Sequence, residues 1–328
     1  MSSLVEVNGL TKYFPVQKSS LEAVLSRKRE FVRAVDAISF AIERGGIFGL
    51  VGESGSGKTT TGRLLLRLIE PTSGEIRFHG DNIGEFSPQS LRQFRRRAQM
   101  IFQDPTAALS PRMRIGPAIK HGLDIHQVGS DPERKKETLR MFERVGLSPA
   151  EAFYDKYPHQ LSGGQRQRVV IGRAMILEPE FVVADEPVAM VDVSIRAQIL
   201  DLMLSLKKEL GLTYAFITHD LATANYFCDR IAIMYLGKIV EVGPREDVFK
   251  SPRHPYTVAL MSSIPVPDPK HRLQRLIPRG EIPSPINPPS GCRFHPRCLH
   301  AQAVCSQREP QLEEDALGHQ VACFFPRV

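Results

Sequence analysis

The apolar run Gly46–Val51 leads directly into Gly52-Glu53-Ser54-Gly55-Ser56-Gly57-Lys58-Thr59-Thr60, and this junction constrains the fold more than any other stretch. It matches G-x-x-x-x-G-K-[ST] at every fixed position. Glycines let the backbone curl so that successive N–H groups point inward at an anion. The N-terminus of a following helix adds partial positive charge there. Lys58 is placed to reach β- and γ-phosphates and the Thr59 hydroxyl to ligate Mg²⁺, with Thr60 next along among the nucleotide-binding residues. A ligand-free strand–helix turn has no need of Lys-Thr in that register. The helix is expected over Thr59–Ile69, burying Leu64, Leu65, Leu66 and Leu68.

Two later segments extend this chemistry. Phe181–Asp185 reads as a buried strand whose last residue delivers a carboxylate to Mg²⁺ through a bound water. Glu186, next along, is placed to polarise an attacking water. Adjacent acids before Pro187 could instead simply start a turn. Leu161-Ser162-Gly163-Gly164-Gln165 puts a hydroxyl and bare N–H groups at a helix start, a second anion site. The plainer reading of that pentapeptide is a helix N-cap.

Other elements follow from period and punctuation. Residues 4–10 and 34–42 read as strands, separated by a polar, basic surface insertion over 15–33. Residues 104–160 turn polar and helical; Ser130-Asp131-Pro132-Glu133 has the capping-box pattern, with Leu139, Phe142 and Val145 on the apolar face. A helix over 192–210 carries Ile195, Ile199, Leu202, Leu206 and Leu210 on one face, and Gly211 stops it. Thr213–Ile217 is a strand, and 231–235 with 239–242 form a hairpin around Leu236-Gly237-Lys238. Proline then dominates, with Pro283, Pro285, Pro288 and Pro289 suggesting a semi-rigid arm.

Composition narrows the class. The 328 residues, 42% of them hydrophobic, suit a large domain plus a smaller one. No apolar run approaches the roughly 18–20 residues that span a bilayer. The start shows no basic region followed by an apolar core, so a cytosolic location is expected. A net charge of +7 is spread in short runs such as Arg95-Arg96-Arg97, and with no Trp there is no sign of a base-stacking surface. Nucleic acid is not an expected partner.

The phosphate loop, then Leu-Ser-Gly-Gly-Gln, then hydrophobic-Asp-Glu, in that order within one domain, resembles the nucleotide-binding subunit of ABC ATPases. That resemblance implies an α/β fold: a P-loop NTPase cassette with a RecA-like core, an antiparallel β subdomain and a helical subdomain over about 104–165, together filling 1–250. It implies ATP and Mg²⁺ as ligands and a head-to-tail dimer in which Ser162, Gly163, Gly164 and Gln165 cap the γ-phosphate held in the partner's loop. By the same resemblance Gln103 senses Mg²⁺ and water and couples to the membrane partner. His219 contacts the γ-phosphate, and Phe14, with Tyr13 as the alternative, stacks on adenine. The family usually carries Ser-Ala-Leu-Asp after the acidic strand; Ala189-Met190-Val191-Asp192 stands here, so the Asp is kept and the hydroxyl lost.

Residues 251–328 form the expected second part. Arg253-His254-Pro255-Tyr256-Thr257, the proline-rich stretch and Cys292-x₅-Cys298-x₆-Cys305-x₁₇-Cys323 resemble the C-terminal extension of oligopeptide/dipeptide-type ABC importer ATPases. The run Arg63–Leu68 and the triple arginine Arg95-Arg96-Arg97 resemble the second of the two ATPases such importers usually carry. Four thiolates can hold a [4Fe–4S] cluster or Zn²⁺. The spacing lacks the close pairs that structural zinc favours, and the resemblance implies the cluster, with Zn²⁺, free thiols or a disulfide as alternatives. His295, His300 and His319 could substitute as ligands but are expected at the surface, and Cys228 is expected in the core.

The expected activity is therefore ATP hydrolysis that energises di- or oligopeptide uptake. The resemblance supplies the partners: two permease subunits, a second paralogous ATPase and an extracellular or periplasmic binding protein. The chain would lie peripherally on the cytoplasmic face of the inner membrane. Nickel, glutathione or oligosaccharide import is the nearest rival. A non-transport ABC ATPase is the other, disfavoured by a single cassette with only about 100 residues between loop and pentapeptide.

Overall fold

The computed structural model describes residues 3–16, 30–263, 279–315 and 318–327, so most of the insertion expected at 15–33 lies outside the described residues. The chain divides into two compact units. One, the phosphate-loop unit, holds 3–42, 47–84 and 217–328; the other, the signature unit, holds 43–46 and 85–216.

The phosphate-loop unit opens with β1 (Ser3–Pro15) and β2 (Phe31–Glu43), then β3 (Ile47–Val51), β4 (Ser73–Phe78) and β5 (Asp81–Asn82). The order β2-β1-β4-β5 makes an antiparallel sheet, with Val5 opposite Phe78 and Val7 opposite Ile76, all four buried. Every residue of β3 is buried, as expected of a strand covered on both faces. Its helix, Lys58–Leu65, is shorter than the expected 59–69. Arg67 takes a positive φ of 46°, which turns the chain and leaves Leu68 43% exposed, while Leu64, Leu65 and Leu66 are buried as expected.

The signature unit contains β6 (Ala98–Ile101) and β7 (Phe181–Asp185), paired in parallel with Ile101 opposite Ala184. Helices Ile115–His126, Asp131–Arg144, Ala150–Tyr154 and Gly163–Met175 pack around Ile119, Phe142, Val145 and Val169, each fully buried. Gly172 permits their close approach: a Cβ there would stand 3.3 Å from both Ile119 Cδ1 and Met141 Cγ. The capping box at Ser130 forms, with Ser130 N donating to Glu133 Oε2 at 2.7 Å. Helix Val193–Leu210 ends at Gly211 in the left-handed region, as expected, but buries Ile199, Leu200, Met203 and Leu206. Ile199 and Leu206 are covered as expected, whereas Leu200 and Met203 take the other covered places and Leu202 lies only half-buried.

The chain returns to the phosphate-loop unit within β8 (Thr213–Thr218). There β9 (Arg230–Tyr235) and β10 (Lys238–Pro244) form the expected hairpin, and Leu236 and Gly237 both take positive φ, as a two-residue turn of matching twist requires. Val51 of β3 pairs in parallel with Ile233 of β9. The tail adds β11 (Glu313–Glu314) and β12 (Gln320–Val321), so this unit's second sheet runs β3-β9-β10-β12-β11. Cys228 is buried as expected, its Sγ filling the space left by Gly49. Among the described residues no helix is long and apolar enough to cross a membrane.

Candidate nucleotide site and the four-cysteine recess

The residues singled out by sequence divide between the two units. In the phosphate-loop unit, Gly57 sits at φ 106°, where a Cβ would come within 2.2 Å of Ala34 O, so only glycine fits. This turn starts the helix at Lys58, which is 5% exposed and curls back into the loop. Its Nζ donates to Gly52 O and Glu53 O, both at 2.8 Å, and to Ser56 Oγ at 3.3 Å. The ammonium is thus held at the loop's centre by groups that an anion can replace. Phe14 is exposed with Lys12 Nζ 5.0 Å over its ring, whereas Tyr13 Oη is tied to Asp36 at 2.7 Å. His219 is exposed just past β8, and Asp220 beside it caps helix Leu221–Phe227 through Ala222 N at 2.9 Å.

In the signature unit, β7 buries Asp185 to 3% exposure at its C-terminal end. Glu186 follows at φ 46°, a conformation that strains a non-glycine residue and clusters at functional sites. The β6–β7 register sets residues 103 and 186 side by side beyond the strand ends. Gln103 Nε2 donates to Glu186 Oε2 at 3.0 Å. Sequence reasoning assigned both residues but not this bond, because the strand register that levels them is not written in either segment alone.

The pentapeptide realises the capping geometry. Gln165 N donates to Ser162 Oγ at 3.2 Å and Ser162 N to Gln165 Oε1 at 3.0 Å, while Leu161 is buried. Gly164 packs on Ile195, whose Cγ2 a Cβ would meet at 3.0 Å. Gly163 faces open space, with only Met190 O at 3.9 Å from such a Cβ. The two glycines therefore do different work: one admits a neighbouring helix, the other leaves the helix N-terminus uncovered.

In the tail, Cys292, Cys298, Cys305 and Cys323 line one recess together with His254, Phe294, Phe324 and Phe325. Burial, with the neighbouring thiols adding, pushes Cys292 and Cys323 up to about 11, so thiolates gathered here call for a cation. Among the described residues no three His, Cys, Asp or Glu are close enough to hold a metal ion. A single zinc would draw its sulfurs to within about 4 Å of one another. His300 is exposed and His295 half-buried, but His319, expected at the surface, is 3% exposed. Its Nε2 lies 2.7 Å from Glu241 Oε1. Glu241, fully buried, also accepts from Arg253 N at 2.8 Å and His254 N at 2.9 Å. That carboxylate ties β10 to the start of the tail and to its last strand.

Comparison with known proteins agrees with both halves. The family described as ABC transporter matches residues 35–189, and the one described as oligopeptide/dipeptide transporter, C-terminal region, matches 240–305. The dipeptide transport ATP-binding protein DppF of Haemophilus influenzae is 47% identical over 98% of this chain and 96% of its own. The oligopeptide transport ATP-binding protein AppF of Bacillus subtilis is 44% identical over 98% and 97%. Among solved structures, the dimeric ATP-binding cassette MJ0796 in a post-hydrolysis state with ADP and Pi is 28% identical, with a TM-score of 0.64 over 74% of this chain and 98% of that one.

Proposed function

Because the chain belongs to the ATP-binding subunits of ABC transporters, in the oligopeptide/dipeptide group, we propose that it hydrolyses ATP to drive uptake of di- or oligopeptides through a separate permease. The observation that carries this reading is identity of 44–47% to named peptide-transport subunits over nearly the whole of each chain, tail included. Its partners on this reading are two permease subunits, a second ATPase and a substrate-binding protein. It would work at the cytoplasmic face of the membrane.

The chemistry assigns a task to each residue. Lys58 and the N–H groups of Gly55–Thr60 neutralise the phosphates, with Lys58 giving up its carbonyl partners as they arrive. Oxygen donors are what Mg²⁺ takes, and Thr59 and Asp185 supply them. Glu186, oriented by Gln103, accepts a proton from the attacking water. His219 contacts the γ-phosphate and Phe14 the adenine. Ser162 and Gly163 serve a partner subunit's nucleotide, for which the uncovered helix start is suited.

The four cysteines fit a [4Fe–4S] cluster in donor type and in gathering at one recess. When bound, such a cluster would cross-link the tail. Anaerobic purification tests it: a brown protein with broad absorption near about 400 nm is expected, and a colourless protein with one zinc would contradict it.

The transport reading is tested by reconstituting the assembled transporter in liposomes. ATP-dependent accumulation of labelled di- and oligopeptides, lost in Lys58→Ala, is expected. Accumulation of nickel or an oligosaccharide but no peptide would contradict it.

A further inference from the structure

The segment Cys292-Arg293-Phe294-His295-Pro296-Arg297-Cys298 carries two arginines that stand one residue inside its terminal cysteines. Both are buried, at 7% and 8% exposure, and a guanidinium is buried only against a partner. Arg297 finds Glu53, the second residue of the phosphate loop. Its Nη1 donates to Glu53 Oε2 at 2.9 Å and its Nη2 to Glu53 Oε1 at 3.4 Å, a two-pronged pair. The Tyr235 ring lies 5.8 Å from the guanidinium carbon. Glu53 N in turn donates to Tyr256 Oη at 3.0 Å, so both the side chain and the main chain of this loop residue are held by the tail.

Arg293 acts one step further off. It donates to Leu236 O and to the Asp36 carboxylate. The next residue of that turn, Gly237, donates its N–H to Ser56 O at 2.9 Å, a second grip on the phosphate loop. Phe294, between the arginines, is anchored among Tyr235, Tyr256 and His254 at ring distances of 5.3, 5.3 and 5.8 Å. Cys292 and Cys298 meanwhile face the four-thiol recess. One seven-residue segment therefore touches the recess at its ends and the phosphate loop through its arginines.

We propose that Arg297 is a positioning residue for the phosphate loop, and that through Cys298 beside it the state of the four-thiol recess is transmitted to ATP binding. The proposal rests on the reading that the loop binds ATP. A filled recess holds Cys298 and with it Arg297, which fixes Glu53 and the N–H groups that follow. An emptied recess frees the segment, and the loop must then be ordered at the expense of nucleotide affinity.

The test uses the assembled transporter, with Mg–ATP affinity and steady-state kinetics measured for wild type and variants. Lys58→Ala is the control for the nucleotide site. Arg297→Gln should raise the ATP Kd and KM by roughly three- to ten-fold with kcat little changed, and Arg297→Lys should fall between. Glu53→Gln breaks the same pair from the loop side without touching the recess, so the idea stays testable if Arg297→Gln does not fold. The double variant of Glu53→Gln and Arg297→Gln should be no weaker than Arg297→Gln alone. Cys298→Ser should weaken binding to the same extent, and adding it to Arg297→Gln should cost nothing more. Should Lys58→Ala bind ATP like wild type, the nucleotide reading itself fails. Loss in Lys58→Ala with wild-type affinity in both Arg297→Gln and Glu53→Gln would overturn the positioning role. Losses from Cys298→Ser and Arg297→Gln that simply multiply would overturn the transmission.

Discussion

Glu186 holds a left-handed conformation that costs an ordinary residue about 1–2 kcal/mol. Glycine adopts it freely. Of two variants that both lack the carboxylate, Glu186→Gly should therefore be more stable than Glu186→Ala by roughly 1 kcal/mol. Equal unfolding midpoints in a denaturant titration would remove strain from the account of this residue. At His254, burial pushes the imidazole down to about 4, against the attraction of Glu241. The unfolded chain, titrating near about 6.5, binds the proton that the folded chain refuses. Stability should therefore be complete above about pH 6.5 and fall as the pH drops toward 4, by about 3 kcal/mol from this group. His254→Asn, which can still cap its helix, should show a flatter profile; an unchanged slope would assign the acid loss to other groups.

The elements show where sequence was legible. Starts marked by a capping side chain, at Ser130 and Ser162, lie where the pattern put them, because a side-chain hydrogen bond is a local event. The end of the helix after Lys58 was not readable, since nothing in Leu64–Ile69 announces that Arg67 turns left-handed. The buried stripe of Val193–Leu210 was read correctly at Ile199 and Leu206 and missed at Leu200 and Met203, because its neighbours as well as its own period choose the covered face. Ser162 carries a local task as a cap and, on the proposed reading, a distant one at a partner's nucleotide, and they can be separated. Ser162→Ala should lower the subunit's stability by about 1 kcal/mol through loss of the cap, leave its own ATP affinity unchanged and cut hydrolysis in the assembled transporter at least about ten-fold. Hydrolysis at the wild-type rate would leave the cap as its whole role.

Across the whole molecule, the order of loop, pentapeptide and acidic strand was enough to reach the family, since each motif's chemistry is written in consecutive residues. The tail was legible as a cysteine segment and opaque as a structural partner. His319 was expected at the surface, and Arg293, Arg297 and Glu241 were not singled out, yet each of the four is buried against a partner far away in sequence. The residues proposed for catalysis and phosphate binding fall in two separately packed units, each pre-arranged in itself: Lys58 within its loop, Glu186 against Gln103. The central claim, that Glu186 activates the water whose attack on ATP powers uptake, is tested most directly by Glu186→Gln in the assembled transporter. The account predicts wild-type ATP affinity, a stalled nucleotide-bound dimer and peptide uptake reduced at least about a hundred-fold. ATP turnover and uptake at the wild-type rate would contradict it.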